Sequence, residues 1–464
     1  MTSPTAFLKE RLAAAPDREV LVWRDRPFTG GWLLDRLAQW RRQLDAAGVS
    51  PGAVTALEAE FSPDAVALFL ALAEARAILV PLTAAAAPKR DEFLDTAEAE
   101  WVIRPDPDGT GQAEFRRLPR EAAHELYGRL RAAARPGLLL FSSGSTGRSK
   151  AALHDLARLL ARFETPRRAY RGIAFLLFDH IGGINTMLHA LANGGCLILP
   201  PGPDPDQVLE QVARHHADLL PVSPTFLNLI LLSEAWNRHD LGSLKVVSYG
   251  TEPMPESTLR RWHGLFPAIR LAQTYGLSET GILPVKSKSS DSLWIRAGGD
   301  GCEVRVVDGM LQVRADTAML GYLNAPAPFT PDGWFVTGDA VETDGEFIRI
   351  LGRRSEIINV GGEKVWPAEV ESVLQELENV AEVVVYGEPN PITGAMVCAR
   401  VRLRQPEERA SFLRRMREYC AGRLQRYKVP VRVQLTGDPL HGGRFKKIRA
   451  IPADTPGGAD RKQA

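Results

Sequence analysis

At 464 residues the chain is long for a single hydrophobic core, so two or three domains are expected. Its 45% hydrophobic and 24% charged residues are ordinary for a globular protein. A net charge of +1 excludes an electrostatic basis for binding nucleic acid or an acidic membrane.

The stretch MTSPTAFLKERLAAAPDREV lacks a signal-peptide core, and the longest apolar run, Ala65–Ala73, is too short to span a bilayer. Cys196, Cys302, Cys398 and Cys420 lie far apart, with no CxxC and no histidine at metal spacing. Reduced thiols of a cytoplasmic protein are therefore expected. Leucine, tryptophan and alanine at helical spacing predict a helix over 33–48, ended by Gly48. Val54–Glu58 reads as a strand, and Ser62–Ala75 as a helix with Ser62 as N-cap and Pro63 at its first position. Ala77–Leu82 is a buried strand, and 104–113 is turn-rich surface chain. The strand–helix rhythm returns in Ile173–Ala192, Gly195–Arg214 and Ala217–Ser233. Such alternation implies a parallel sheet covered on both faces.

From Trp294 the pattern turns to apolar–polar alternation between Asp-Gly turns, which predicts antiparallel hairpins. Beyond the charged run at Arg353–Ser355 a small α+β unit is expected. Its predicted parts are Val360–Pro367, a helix at Ala368–Glu378, a strand at Glu382–Tyr386 and a helix near Glu407–Leu424. The boundary predicts domains 1–353 and 354–464, and the last ten residues are expected to be disordered.

The chain is organised around LLLFSSGSTGRSK, Leu138–Lys150. Leu138–Phe141 reads as a short buried strand. The loop after it is rich in backbone N–H groups and in the hydroxyls of Ser142, Ser143, Ser145 and Thr146. Gly144 and Gly147 allow close approach of a ligand, and Lys150 supplies a mobile charge. A polyphosphate suits this combination. It is not the common P-loop: counted from Gly144, Ser149 falls where the second glycine belongs and Ala151 where the metal-binding hydroxyl belongs.

Four motifs, in order, resemble the adenylate-forming superfamily of acyl-CoA synthetases, nonribosomal adenylation domains and luciferases. SSGSTGRSK resembles its phosphate loop, YGLSETG at Tyr275–Gly281 its YGxTE box, and GWFVTGD at Gly333–Asp339 its TGD box. GRRSEIINVGGEKVWPAEVE at Gly352–Glu371 resembles its hinge. The resemblance implies an α/β fold: a large N-terminal domain of stacked α/β sheets with a β-barrel-like subdomain, then a small mobile α+β C-terminal domain.

It also implies a chemistry. A carboxylate attacks the α-phosphate of ATP, pyrophosphate leaves, and a thiol displaces AMP from the acyl-adenylate. Both partners in the first step are anions, so their charges must be neutralised and aligned. By resemblance, Ser142, Ser143, Gly144, Ser145, Thr146, Gly147 and Lys150 hold the phosphates. Glu279 takes Mg2+, a hard cation suited to carboxylate and phosphate oxygens, with Thr146 beside it and Ser278 in the same box. Tyr275 stacks on adenine, the backbone at Thr251, Glu252 and Pro253 lines the base, Asp339 accepts the ribose hydroxyls, and Arg353 reaches ribose or phosphate. His180, Ser248 and Gly276 belong to the acyl pocket, and Gly361 and Gly362 to the thiol channel. The tail lysine that meets carboxylate and α-phosphate is Lys446, with Lys447 as rival.

The departures are Ser149 and Ala151 for the usual Pro and Gly, Ser278 for threonine, Ser355 in the hinge, and Phe445 where a glycine commonly precedes the lysine. An acid–thiol ligase is expected, using ATP, Mg2+ and coenzyme A and acting on a small carboxylic acid, with no nucleic-acid or membrane partner. The alternatives are loading of a carrier protein's phosphopantetheine and a non-catalytic nucleotide-binding regulator.

Overall fold

A computed structural model describes residues 3–143 and 149–449. The chain divides into two compact units, Met1–Leu351 and Gly352–Ala464.

The larger unit is built on two seven-stranded sheets. In the first the order is Arg270–Gln273, Val246–Tyr249, Leu219–Val222, Arg171–Ile173, Cys196–Leu199, Glu19–Trp23 and Arg26–Thr29, parallel except for the last strand. The second runs Gly321–Tyr322, Ser149–Asp155, Gly137–Ser143, Ile78–Leu82, Val54–Glu58, Trp101–Pro105 and Ala113–Arg117. Its four middle strands are parallel and its margins antiparallel. The expected parallel sheets thus have turned-back edges, because a short connection cannot make the crossover a parallel neighbour needs. The turn-rich stretch 104–113 is one such connection.

The helix Pro63–Glu74 explains how the layers join. Ser62 Oγ accepts from Ala65 N at 3.1 Å, and every residue from Pro63 to Ala73 is buried. A helix apolar on all sides must be covered on all sides. It shares one core with Leu57, Leu79, Leu138 and Leu140 of the second sheet and Leu21, Leu197 and Leu199 of the first. The alternate residues Leu139 and Phe141 enter a separate core with Val54, Ile78 and Leu153. The helix predicted over 33–48 runs Gly30–Ala47, capped by Thr29 and ended by Gly48 in the left-handed region.

The predicted hairpins after Trp294 form a six-stranded sheet, ordered Val285–Ser287, Trp294–Ala297, Phe347–Arg353, Phe335–Asp344, Met310–Ala315 and Cys302–Val307. The smaller unit has five strands, Ile358–Val360, Glu363–Val365, Val380–Asn390, Gly394–Leu403 and Arg432–Thr436, with helices Pro367–Gln375 and Arg409–Cys420. Val370, Leu374, Val385, Phe412 and Met416 fill its core. No helix among the described residues is long and apolar enough to cross a membrane.

Candidate active site

The stretch read as one long loop is narrower in the structure. Gly137–Ser143 and Ser149–Asp155 form an antiparallel hairpin in which Ser142 pairs with Lys150 and Ser143 with Ser149. Side chains directly across an antiparallel pair share a face, so Ser142 and Lys150 project together. Gly321–Tyr322 pairs with the outer edge of the hairpin, Tyr322 opposite Ala152, which adds Tyr322 to the same face. Lys150 Nζ lies 5.0 Å from the centre of the Tyr322 ring. Gly144, Ser145, Thr146 and Gly147 lie outside the described residues.

Glu279 meets this face from the YGLSETG segment. Its Oε1 accepts from Tyr322 OH at 2.6 Å and from Ser142 Oγ at 3.5 Å. The segment is a tight hairpin, Gly276–Leu277 against Gly281–Ile282. A Cβ on Gly276 would come within 2.5 Å of Gly281 O and 2.7 Å of Ile282 Cα, so only glycine permits this approach. The backbone is held at three points. Met319 N donates to Glu279 O at 2.7 Å, Thr317 Oγ1 donates to Thr280 O at 2.7 Å, and His154 Nε2 lies 2.5 Å from Ser278 O. His154 Nδ1 lies 3.1 Å from Thr317 O. Burial lowers the pKa of this fully enclosed ring, against the pull of the two carbonyls and Glu279.

No group of three or more His, Cys, Asp or Glu among the described residues could hold a metal ion alone. Both hydrogen bonds recorded on Glu279 end on Oε1. One carboxylate beside hydroxyls fits a hard divalent cation whose remaining ligands are phosphate oxygens and water.

Beside this cluster Tyr275 OH donates to Asp339 Oδ2 at 2.6 Å, with both residues buried. Asp339 N in turn donates to Thr337 Oγ1 at 3.0 Å. Thr251, two residues beyond the strand Val246–Tyr249, has φ +74°, and its buried hydroxyl has no partner among the described residues. Such strain in a non-glycine residue is uncommon and marks a constrained site. Glu252 Oε1 accepts from Thr225 N at 2.8 Å, tying the segment Thr251–Pro253 to the first turn of helix Pro224–Ser233. Ser248 sits half-buried in its strand between Pro221 and Ala272. His180 is the N-cap of helix Ile181–Ala192: its Nδ1 accepts from Gly182 N at 3.0 Å, so the neutral ring carries its proton on Nε2.

Arg353 ends the strand Phe347–Arg353 of the six-stranded sheet. Gly361 and Gly362, at φ +60° and +93°, form the two-residue turn between the strands Ile358–Val360 and Glu363–Val365, a conformation that favours glycine. Lys447 Nζ and Arg449 Nη2 each lie 2.9 Å from Glu371 Oε2, while Val385 N donates to Glu371 Oε1 at 3.0 Å. Glu371 is buried. Burial raises its pKa, but the two cations and the amide outweigh it and hold the carboxyl below its ordinary range. Phe445 adopts φ +50°, so the backbone keeps a glycine-like conformation, and its ring stacks on His441 with centroids 5.4 Å apart.

Sequence reasoning missed Tyr322 and His154. Once Ser149–Asp155 is recognised as a strand, period-two alternation places Lys150, Ala152 and His154 on one face. Tyr322 comes from a strand of two residues, too short to carry a pattern.

Residues 8–323 match the AMP-binding enzyme family and residues 369–441 its C-terminal domain. The chain is 30% identical over 341 residues to an indoleacetate–CoA ligase of Aromatoleum aromaticum, covering 68% of this chain and 66% of that protein. It is 28% identical over 441 residues to the long-chain-fatty-acid–CoA ligase FadD13 of Mycobacterium tuberculosis, covering 84% and 85%. The match thus spans just under two thirds of the first relative and more of the second. A crystal structure of an anthranilate CoA ligase with anthranoyl-AMP superposes with TM-score 0.81 at 20% identity, covering 96% and 95%. An o-succinylbenzoate CoA synthetase from Bacillus subtilis, in complex with its acyl-adenylate, gives 0.76 at 22%, covering 96% of each chain. At those identities the two structures establish the fold, and the matched sequence identifies the chain as a member of the AMP-binding enzyme family.

Proposed function

We propose that this protein is an AMP-forming acid–thiol ligase that converts a small carboxylic acid to an acyl- or aryl-adenylate and transfers the acyl group to coenzyme A. The observation that carries the reading is the convergence of Ser142, Lys150 and Glu279 at one hairpin end, in a chain of this family. Lys150, Ser142 and the loop 143–147 are assigned to the β- and γ-phosphates of ATP. Glu279, with Thr146, would hold Mg2+, which would supply charge neutralisation to the phosphates. The ion belongs there because one carboxylate and phosphate oxygens suffice for it.

Asp339 is assigned to the ribose hydroxyls, and its bond from Tyr275 supports this by orienting the carboxylate. Tyr275 and the segment Thr251–Pro253 flank the adenine, with Ser278 beside the phosphates and Arg353 assigned to ribose or phosphate. His180, Ser248 and Gly276 line the acyl pocket. The His180 tautomer leaves Nε2–H as its donor. Gly361 and Gly362 are assigned to the thiol channel. Lys446 is the lysine for the substrate carboxylate and α-phosphate, the choice that the motif spacing, with Arg449 three residues on, favours. Domains at 1–353 and 354–464 divide these tasks. A cytoplasmic location fits four unpaired, buried cysteines.

Carboxylate-dependent pyrophosphate release with ATP and Mg2+, over fatty and aromatic acids, tests the proposal. Release with one acid, and a thioester only when coenzyme A is added, is the expected result. Adenylate without that thioester would redirect the acyl group to a carrier protein. ATP binding without release under any acid would overturn the ligase reading in favour of a regulator.

A further inference from the structure

We propose that Tyr322 is a positioning residue that sets two charges of the phosphate site at once, its hydroxyl aiming Glu279 and its ring seating Lys150. The inference rests on the ligase reading and deepens it, since it concerns how the site meets metal and phosphate.

A glutamate and a lysine are both long, rotamer-rich side chains, and ordering them costs conformational entropy. Placed on one face, they also tend to pair and cancel each other before any ligand arrives. Tyr322 contacts both without neutralising either. Its phenol donates to Glu279 Oε1 at 2.6 Å, in the range of a charge-assisted bond. Its π-face lies 5.0 Å from Lys150 Nζ, within reach of a cation–π interaction. The carboxylate is thereby oriented while keeping its negative charge, and the ammonium is seated while keeping its positive one.

The residue is anchored well enough to serve. Tyr322 is buried in a cluster with Ala152, Met319 and Phe335. On either side, Leu320 N donates to Leu153 O at 2.7 Å and Leu323 N to Ala151 O at 2.9 Å. Asn324 clasps the same strand: its Oδ1 accepts from Ala151 N at 3.1 Å, and its Nδ2 donates to Ser149 O at 2.8 Å. The segment carrying the tyrosine is therefore fixed in register with the strand carrying Lys150, which keeps its side chain on the Lys150 face.

Two variants separate the two roles. Tyr322→Phe keeps the ring and loses the hydroxyl; Tyr322→Leu loses both. ATP binding to the full chain is measured by calorimetry without metal and across a Mg2+ titration, with melting temperature and pyrophosphate release alongside. In Tyr322→Phe the Mg2+ concentration for half-maximal enhancement of ATP binding should rise about tenfold, as expected for a lost bond to a charged group. Its metal-free ATP affinity should be unchanged. Tyr322→Leu should in addition lose about threefold in metal-free ATP affinity, the scale of a cation–π contact. A purely structural role would move the melting temperature and leave the Mg2+ dependence alone. A Phe variant with wild-type Mg2+ dependence overturns the proposal even if the Leu variant fails to fold. If the wild-type protein neither binds ATP nor releases pyrophosphate, the ligase reading falls first.

Discussion

Each compact unit holds a lysine and a glutamate that the fold brings into one cluster, and the two clusters are wired in opposite ways. In the larger unit Glu279 is held by neutral hydroxyls, and Lys150 rests against a ring. Among the described residues the two have no ion pair, so both charges remain available to a ligand. In the smaller unit Glu371 receives Lys447, Arg449 and a backbone amide, and its charge is consumed within the fold. The residue types are the same. Partnering decides which pair is satisfied within the fold and which is not.

The largest effects should come from the charged groups assigned to the reaction. Glu279→Gln and Lys446→Ala should each lower carboxylate-dependent pyrophosphate release by about a hundredfold or more, the scale of losing one preorganised electrostatic group. Melting temperature should stay near wild type in both. If Lys447→Ala rather than Lys446→Ala abolished release, the division between the two lysines would be wrong.

Breaking the internal cluster should act on stability. Glu371→Gln leaves Lys447 and Arg449 facing an amide, and should cost the smaller unit about 3 kcal/mol, as for a buried pair with one partner removed. Calorimetry of the full chain would show the loss as a lowered transition for that unit. An unchanged transition would mean that the cluster contributes nothing to stability.

Acid should act in the same direction with a smaller effect near neutrality. The folded-state pKa of Glu371 lies below its ordinary 4.5. Glu382 is lowered too: burial raises its pKa, but His441, Arg402 and the Leu440 amide outweigh it. A depressed carboxyl stabilises the fold above its unfolded pKa, and that contribution is lost as pH falls through the folded value. The smaller unit should therefore hold its stability down to about pH 4.5 and lose it below, with a shallower slope in Glu371→Gln. The smallest response should be that of the thiols. Burial pushes Cys196 up to about 12 and Cys302, Cys398 and Cys420 up to about 11, so maleimide should label none of the four in the native protein at neutral pH.

Much of the architecture was legible in the chain. Val54–Glu58 matches its predicted strand end to end, and Pro63–Glu74 lies within its predicted helix, because a cap, a first-turn proline and an unbroken apolar run act locally. The Asp-Gly turns after Trp294 announced antiparallel strands for the same reason. The motif residues Ser142, Lys150, Glu279, Tyr275 and Asp339 could be singled out because the motifs that carry them resemble those of one family. What lay beyond local reading was pairing across long sequence separations. That Ser142 lies opposite Lys150 in a hairpin, that Tyr322 enters 172 positions after Lys150 (322 − 150), and that His154 fastens Ser278 all depend on which strand edges meet. The same holds for the tail cations: motif spacing could favour Lys446 over Lys447, but it could not say what Lys447 and Arg449 meet. Only the fold seats Lys447 and Arg449 against one carboxylate, because a buried charge must find its partner wherever the chain brings one.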